Sequence, residues 1–125
     1  MFTVSLVTAA KTLTLWHGTD HDALPIHAGL CLADDEDAAG TYGTQVFEIE
    51  LDLDGLTVED VEIDLAAIKR DGEDYPADSA RDRTAYLARG VDVITYSDIA
   101  DRLGGGSKHI TYRILSARAL ARIAS

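Results

Sequence analysis

The sequence predicts an α+β domain whose sheet is largely antiparallel. Three observations lead there. Apolar and polar residues alternate through several short stretches, as they do in strands with one wet face. The stretches with helical start and stop signals are short. No repeat, linker or low-complexity tract interrupts the 125 residues, a length that suits one core and so one domain over residues 1–125. Strands that dominate over short helices place the chain in the α+β class.

Each element has a local reason. Phe2, Val4 and Leu6 alternate, and Leu13 and Leu15 alternate again, which reads as two early strands. Met1 to Ala10 is mildly apolar but has no basic n-region, so a strand is expected there rather than a secretion signal. Asp20 and Asp22 open a short turn or helix, and Leu30 to Leu32 is a short apolar piece. Asp34 to Tyr42 begins with acids, which suit the positive end of a helix dipole, and Gly43 ends it. Val46, Phe47, Ile49, Leu51 and Leu53 make the clearest strand, with Glu48, Glu50 and Asp52 on its wet face. Asp64 to Lys69 is a short helix carrying Leu65 and Ile68, and Asp71 to Asp78 is a polar loop around Pro76. Ser79 to Arg89 is a helix with Ala80, Tyr86 and Leu87 on one side and Gly90 as its C-cap. Val91, Val93 and Ile94 give a buried strand. Arg102 to Lys108, with Gly104, Gly105 and Gly106, is expected to be a flexible loop. Ile110 to Leu115 is a strand, and Ser116 caps a last helix reaching Ile123.

Composition narrows the function classes. A hydrophobic share of 46% excludes a disordered chain. No run of about 18 apolar residues exists, so no membrane partner is expected. Cys31 is the single cysteine, which excludes a disulfide framework and a cysteine-rich metal site and fits a cytoplasmic protein. His17, His21, His27 and His109 show no metal-ligand spacing, so no metal is expected. The 22 acids and 11 bases give a formal charge of −11. They are placed unevenly: residues 20–82 hold 19 acids and 3 bases, and residues 83–125 hold 3 acids and 7 bases. Such a surface repels nucleic acid. The acids either keep a small protein soluble or form a face for a basic partner, which includes mimicry of a nucleic acid.

Three clusters carry residues suited to chemistry. Leu15 to Asp20 places His17, Gly18 and Thr19 at the end of an alternating strand, where glycine lets a ligand approach the backbone. His17 suits a ribose hydroxyl and the Gly18 backbone suits a carboxamide. Gly29 to Gly43 ends in Tyr42, whose phenol offers a stacking surface to a flat ring. The third cluster runs from Gly90 to Asp98 and from His109 to Leu115. Asp98 and Asp101 are expected at the loop entrance and Thr111 on the second strand.

The order of these clusters resembles the small ADP-ribosyltransferases of the His-Tyr-Glu class, which includes diphtheria-type toxins and poly(ADP-ribose) polymerases. His17-Gly18-Thr19 matches the first motif of that class. Gly29-Leu30-Cys31-Leu32-Ala33-Asp34 followed by Tyr42 matches the second, and Thr111-Tyr112-Arg113-Ile114 occupies the third. The late strand–loop–strand also resembles small phage-encoded members of the fold, some of which inhibit CRISPR effectors. The resemblance spans about residues 13–120. Three positions depart from it: Cys31 where a second stacking tyrosine is usual, Ala39 where a serine is usual, and Thr111 where the catalytic glutamate is usual.

The resemblance implies a split, mostly antiparallel sheet with short flanking helices, and NAD as the substrate. It implies a catalytic set of His17, Tyr42 and an acid. With Thr111 in the glutamate's place, Asp98 is the first candidate for that acid and Asp101 the second. His17, Gly18, Thr19 and Tyr42 would bind NAD, with Arg113 or Lys108 at the pyrophosphate. Nicotinamide leaves the ribose through an oxocarbenium-like state, which a nearby carboxylate stabilises. Mono-ADP-ribosylation of a protein target is the leading function, in conflict between phage and host or as a toxin, in the host cytoplasm if phage-encoded. Two alternatives stand beside it. One is an NAD glycohydrolase or small-molecule ADP-ribosyltransferase, and the other is a catalytically inactive acidic binding or inhibitor module.

Overall fold

The computed structural model describes residues 12–72, 74–100 and 107–124. The expected first strand, most of the glycine loop and Asp101 lie outside them. In chain order the elements are β1 (Thr12–Thr19), β2 (Leu30–Ala33), α1 (Glu36–Gly40), β3 (Gln45–Asp52), β4 (Val58–Asp60), α2 (Leu65–Asp71), α3 (Ala80–Ala88), β5 (Val93–Ala100), β6 (Ser107–Ile114), α4 (Ala117–Leu120) and β7 (Ile123–Ala124). Among the described residues they form an α+β domain around one seven-stranded sheet of order β4-β5-β6-β2-β1-β3-β7. Neighbouring strands are antiparallel except β4 and β5, which run parallel.

Two long ladders frame this sheet. All of β1 pairs with β3, from Thr12 opposite Asp52 to Thr19 opposite Gln45. All of β5 pairs with β6, from Val93 opposite Ile114 to Ala100 opposite Ser107. Between them, β2 pairs along its length with β6 but meets β1 at one registered position, Trp16 opposite Ala33. The middle of the sheet is therefore its thinnest seam.

Alternation along the strands sorts side chains onto two faces. Leu15, Leu30, Leu32, Ile49, Leu51, Val93 and Ile114 meet in one core, closed by Ala119 of α4. On the β5 side of the opposite face, Ile94 and Tyr96 pack with Ala77, Val91 and Leu115. A third, smaller cluster joins Ala33 to Ala38 and Ala39 of α1, with Trp16 against it.

Several boundaries differ from expectation for tertiary reasons. The His17-Gly18-Thr19 stretch lies inside β1, because full-length pairing with β3 outweighs the poor strand preference of glycine. α1 ends at Gly40, so Tyr42 sits on the turn beyond the helix. β5 continues to Ala100 and β6 begins at Ser107, which puts Asp98 inside a strand rather than at a loop entrance. α4 stops at Leu120, and Ile123–Ala124 pair with Glu50 and Leu51 as an edge strand that sequence patterning did not predict. β4 was likewise not predicted. Its three residues gain strand structure by pairing with Val93, Ile94 and Thr95. α3 buries none of its residues, and Leu87 is exposed where an apolar side was expected.

The surplus acids have a structural share that charge counting does not reveal. Asp35, Asp64, Ser79 and Ser116 cap the four helices among the described residues by accepting backbone N–H groups of Asp37, Ala67, Asp82 and Ala119. The Asp20 carboxylate accepts the Thr44 N–H at 3.0 Å and that of Asp34 accepts the Ile110 N–H at 2.9 Å. Asp92, 3% exposed, is held by several partners at once. It accepts the Thr57 N–H, the Ser116 hydroxyl and two N–H groups of Arg118, tying α4 and the start of β4 to β5. The Arg118 hydrogen bonds hold its carboxyl well below the usual carboxylate range, against the opposing effect of burial. No helix among the described residues is long and apolar enough to cross a membrane.

Candidate active site

The face of β2, β6 and β5 opposite the main core is polar where it is buried. Register places its side chains in rows. Cys31, Arg113 and Ile94 form one row, Ala33, Thr111 and Tyr96 the next, and His109 and Asp98 the last. Asp98, His109, Thr111 and Arg113 are all buried. Burying four polar side chains on one sheet face is costly unless they find partners, and these do: Tyr75 for Asp98, His109 for Thr111, and Gly29, Pro76 and Asp78 for Arg113. A cavity of about 440 Å³ opens over it, inside the range of about 300–1,000 Å³ typical of small-molecule sites.

β1 and α1 supply the facing wall. Trp16, His17, Gly18, Ala39 and Tyr42 line the cavity from that side. Gly18 is required by packing: a Cβ there would overlap the Ala39 carbonyl oxygen. Gly43 is required in the same way, since a Cβ would overlap the Thr19 backbone. These two close approaches seat α1 on β1 and bring Tyr42 to the cavity edge, where it is 38% exposed. His17 reaches across the thin seam. Its Nδ1 lies 2.7 Å from the Cys31 carbonyl oxygen, and because a carbonyl only accepts, Nδ1 carries the proton. Burial lowers the His17 pKa, partly offset by that bond, which favours a neutral ring with Nε2 as an acceptor.

The remaining wall is the loop between α2 and α3. The Tyr75 hydroxyl donates to Asp98 Oδ1 at 3.3 Å, and the Tyr75 and Tyr96 rings lie 5.8 Å apart. Arg113 fastens this loop to β2: it donates to the Gly29 carbonyl, the Pro76 carbonyl and the Asp78 carboxylate. Ala77, fully buried, takes a positive φ of 63° and is held there by the Asp82 carboxylate and by Arg83. Burial pushes the Cys31 thiol and the Tyr96 phenol up, so both stay protonated and neither offers a charged nucleophile.

The structure thus brings His17, Gly18, Tyr42, Asp98 and Thr111 to one cavity from β1, the turn after α1, β5 and β6. It does not bring Thr19 there. The Thr19 hydroxyl, at the far end of β1, accepts the His21 N–H instead. Arg113 lines the cavity but its guanidinium is engaged with protein acceptors, so it fastens the wall rather than standing free for a pyrophosphate. Lys108 is exposed on β6. Sequence reasoning missed Tyr75 and Asp78, which carry no motif and reach the site only because the loop folds back over β5. Among the described residues no group of three or more His, Cys, Asp or Glu side chains is placed to hold a metal ion. Comparison of the chain with protein-family models, curated protein sequences and solved structures gives no match.

Proposed function

We propose that the cavity binds NAD and that the protein transfers ADP-ribose from it to a protein acceptor. One observation carries the reading: the His17, Tyr42 and Asp98 side chains, far apart in sequence, line the same cavity. The seam supports it too, because a sheet joined at a single pair between β1 and β2 is open in the manner of a split sheet. In this reading Tyr42 stacks on the nicotinamide ring, the Gly18 backbone bonds its carboxamide, and His17 Nε2 meets a ribose hydroxyl. The bond between C1′ and the nicotinamide nitrogen breaks, and nicotinamide leaves with the electron pair. Positive charge develops on the ribose, and the Asp98 carboxylate stabilises it. The acceptor nucleophile then adds to C1′ and gives up its proton. The acidic surface favours a protein acceptor over nucleic acid.

Calorimetric titration with NAD, with nicotinamide release followed in the same sample, tests the reading. The wild-type chain is expected to bind NAD and release nicotinamide slowly until an acceptor is supplied. His17→Ala and Tyr42→Ala should lose binding while keeping the fold. Asp98→Asn should still bind, with release slowed by about 100-fold or more. No binding at millimolar NAD would overturn the proposal and leave an acidic interaction module. Fast release without an acceptor would make the protein an NAD glycohydrolase.

A further inference from the structure

The polar face of the β5–β6 ladder holds two side chains that the mechanism above does not use. His109 and Thr111 stand two residues apart on β6 and so point to the same face. Thr111 Oγ1 and His109 Nε2 lie 3.1 Å apart, and both residues are buried in the cavity wall. Asp98 is directly across the ladder from His109. A hydroxyl within about 2.6–3.2 Å of an imidazole nitrogen, with a carboxylate beside that imidazole, is how a weak alcohol is turned into a nucleophile. Thr111 is β-branched on a strand, which restricts its χ1 and helps hold the hydroxyl toward the ring. The hydroxyl is also in the wall of the cavity proposed to receive the ribose. An internal nucleophile held there competes at a high effective concentration against any acceptor arriving from solution.

We infer that the chain ADP-ribosylates itself on Thr111, with His109 as the general base. The inference rests on the NAD reading of the cavity. The Thr111 O–H proton passes to His109 Nε2. Thr111 Oγ1 forms a bond to the ribose C1′ as the C1′–nicotinamide bond breaks, and nicotinamide departs neutral with the electron pair. The product is an O-glycoside of Thr111, and the His109 imidazolium returns its proton to solvent. No oxidant, reductant or metal enters the balance. Self-modification therefore competes slowly with transfer to an outside acceptor, and a modified chain carries ADP-ribose in its own cavity.

The full chain incubated with NAD alone provides the test, by intact mass, peptide mapping and nicotinamide release together. One ADP-ribosyl unit per chain is expected, mapped to Thr111. Thr111→Val, close to threonine in shape, should bind NAD and lose the adduct, and Thr111→Ser should keep it. His109→Gln should slow adduct formation by about 100-fold or more without weakening NAD binding. An adduct on another residue, an adduct that survives Thr111→Val, or nicotinamide release with no adduct would overturn self-modification and leave the NAD reading standing. Failure of the wild-type chain to bind NAD would overturn both.

Discussion

The two halves of the sheet are built alike and joined weakly. β1–β3 and β5–β6 are full-length ladders of eight residues a side, whereas β1 and β2 share one registered pair. The ladders carry the core, with Leu15, Ile49 and Leu51 on one side and Val93 and Ile114 on the other. The candidate cavity lies over the seam, and the His17–Cys31 hydrogen bond crosses it. The cavity draws polar side chains from both sides of this seam, His17 from β1 and Asp98, His109 and Thr111 from the β5–β6 ladder. A continuous ladder satisfies its own backbone groups, whereas a short contact leaves space and polar groups for side chains and ligands to meet.

Three changes break or sharpen this contrast. The largest effect is expected from Gly18→Ala, because the new methyl overlaps a backbone oxygen of α1 that has no rotamer to yield. A loss of about 3 kcal/mol or more is expected in denaturant unfolding. A variant as stable as wild type would mean that α1 is free to move away from β1.

Asp92→Ala acts on the ladder half instead. It strands the Thr57 N–H and the Ser116 hydroxyl and releases Arg118, for an expected loss of about 2–3 kcal/mol. The pH dependence has a definite sign. The folded pKa is depressed, so this stabilisation is present above the unfolded value of about 3.9 and is lost as pH falls toward the folded one. Acid titration of unfolding should be shallower in the variant, and parallel curves would remove Asp92 from the account.

His17→Gln probes the seam bond alone and should cost about 1 kcal/mol at pH 8. Burial lowers the folded pKa of His17, so the unfolded chain takes up the proton first. Stability from this residue is full above about pH 6.5 and declines below it, levelling off beneath the folded pKa. The wild-type curve should therefore fall between neutral and mildly acidic pH more than the curve of the variant. Equal slopes in that window would show that the seam does not depend on a neutral imidazole.

What the sequence determined by itself is local and periodic. Alternation marked Leu13 and Leu15, Phe47 to Leu51, and Val93 and Ile94 as strand residues facing a core. The chemistry of Ser79, Asp64 and Ser116 marked helix starts, because a cap needs only its own next few residues. It also singled out His17, Gly18, Tyr42, Asp98 and Thr111, whose side chains or backbone suit a ligand in any fold. Only the tertiary structure decided how these meet. β4 and β7 are strands by virtue of their neighbours, and His17 to Thr19 stays extended because β3 pairs with it. Thr111 was turned inward, beside Ala33 and Tyr96, by the parity of a strand, which shifts with a change of one residue in register. Tyr75 and Arg113 close the wall through partners 23 and 84 residues away. Pairing and side-chain reach over such separations depend on the whole chain at once, and no local pattern encodes them.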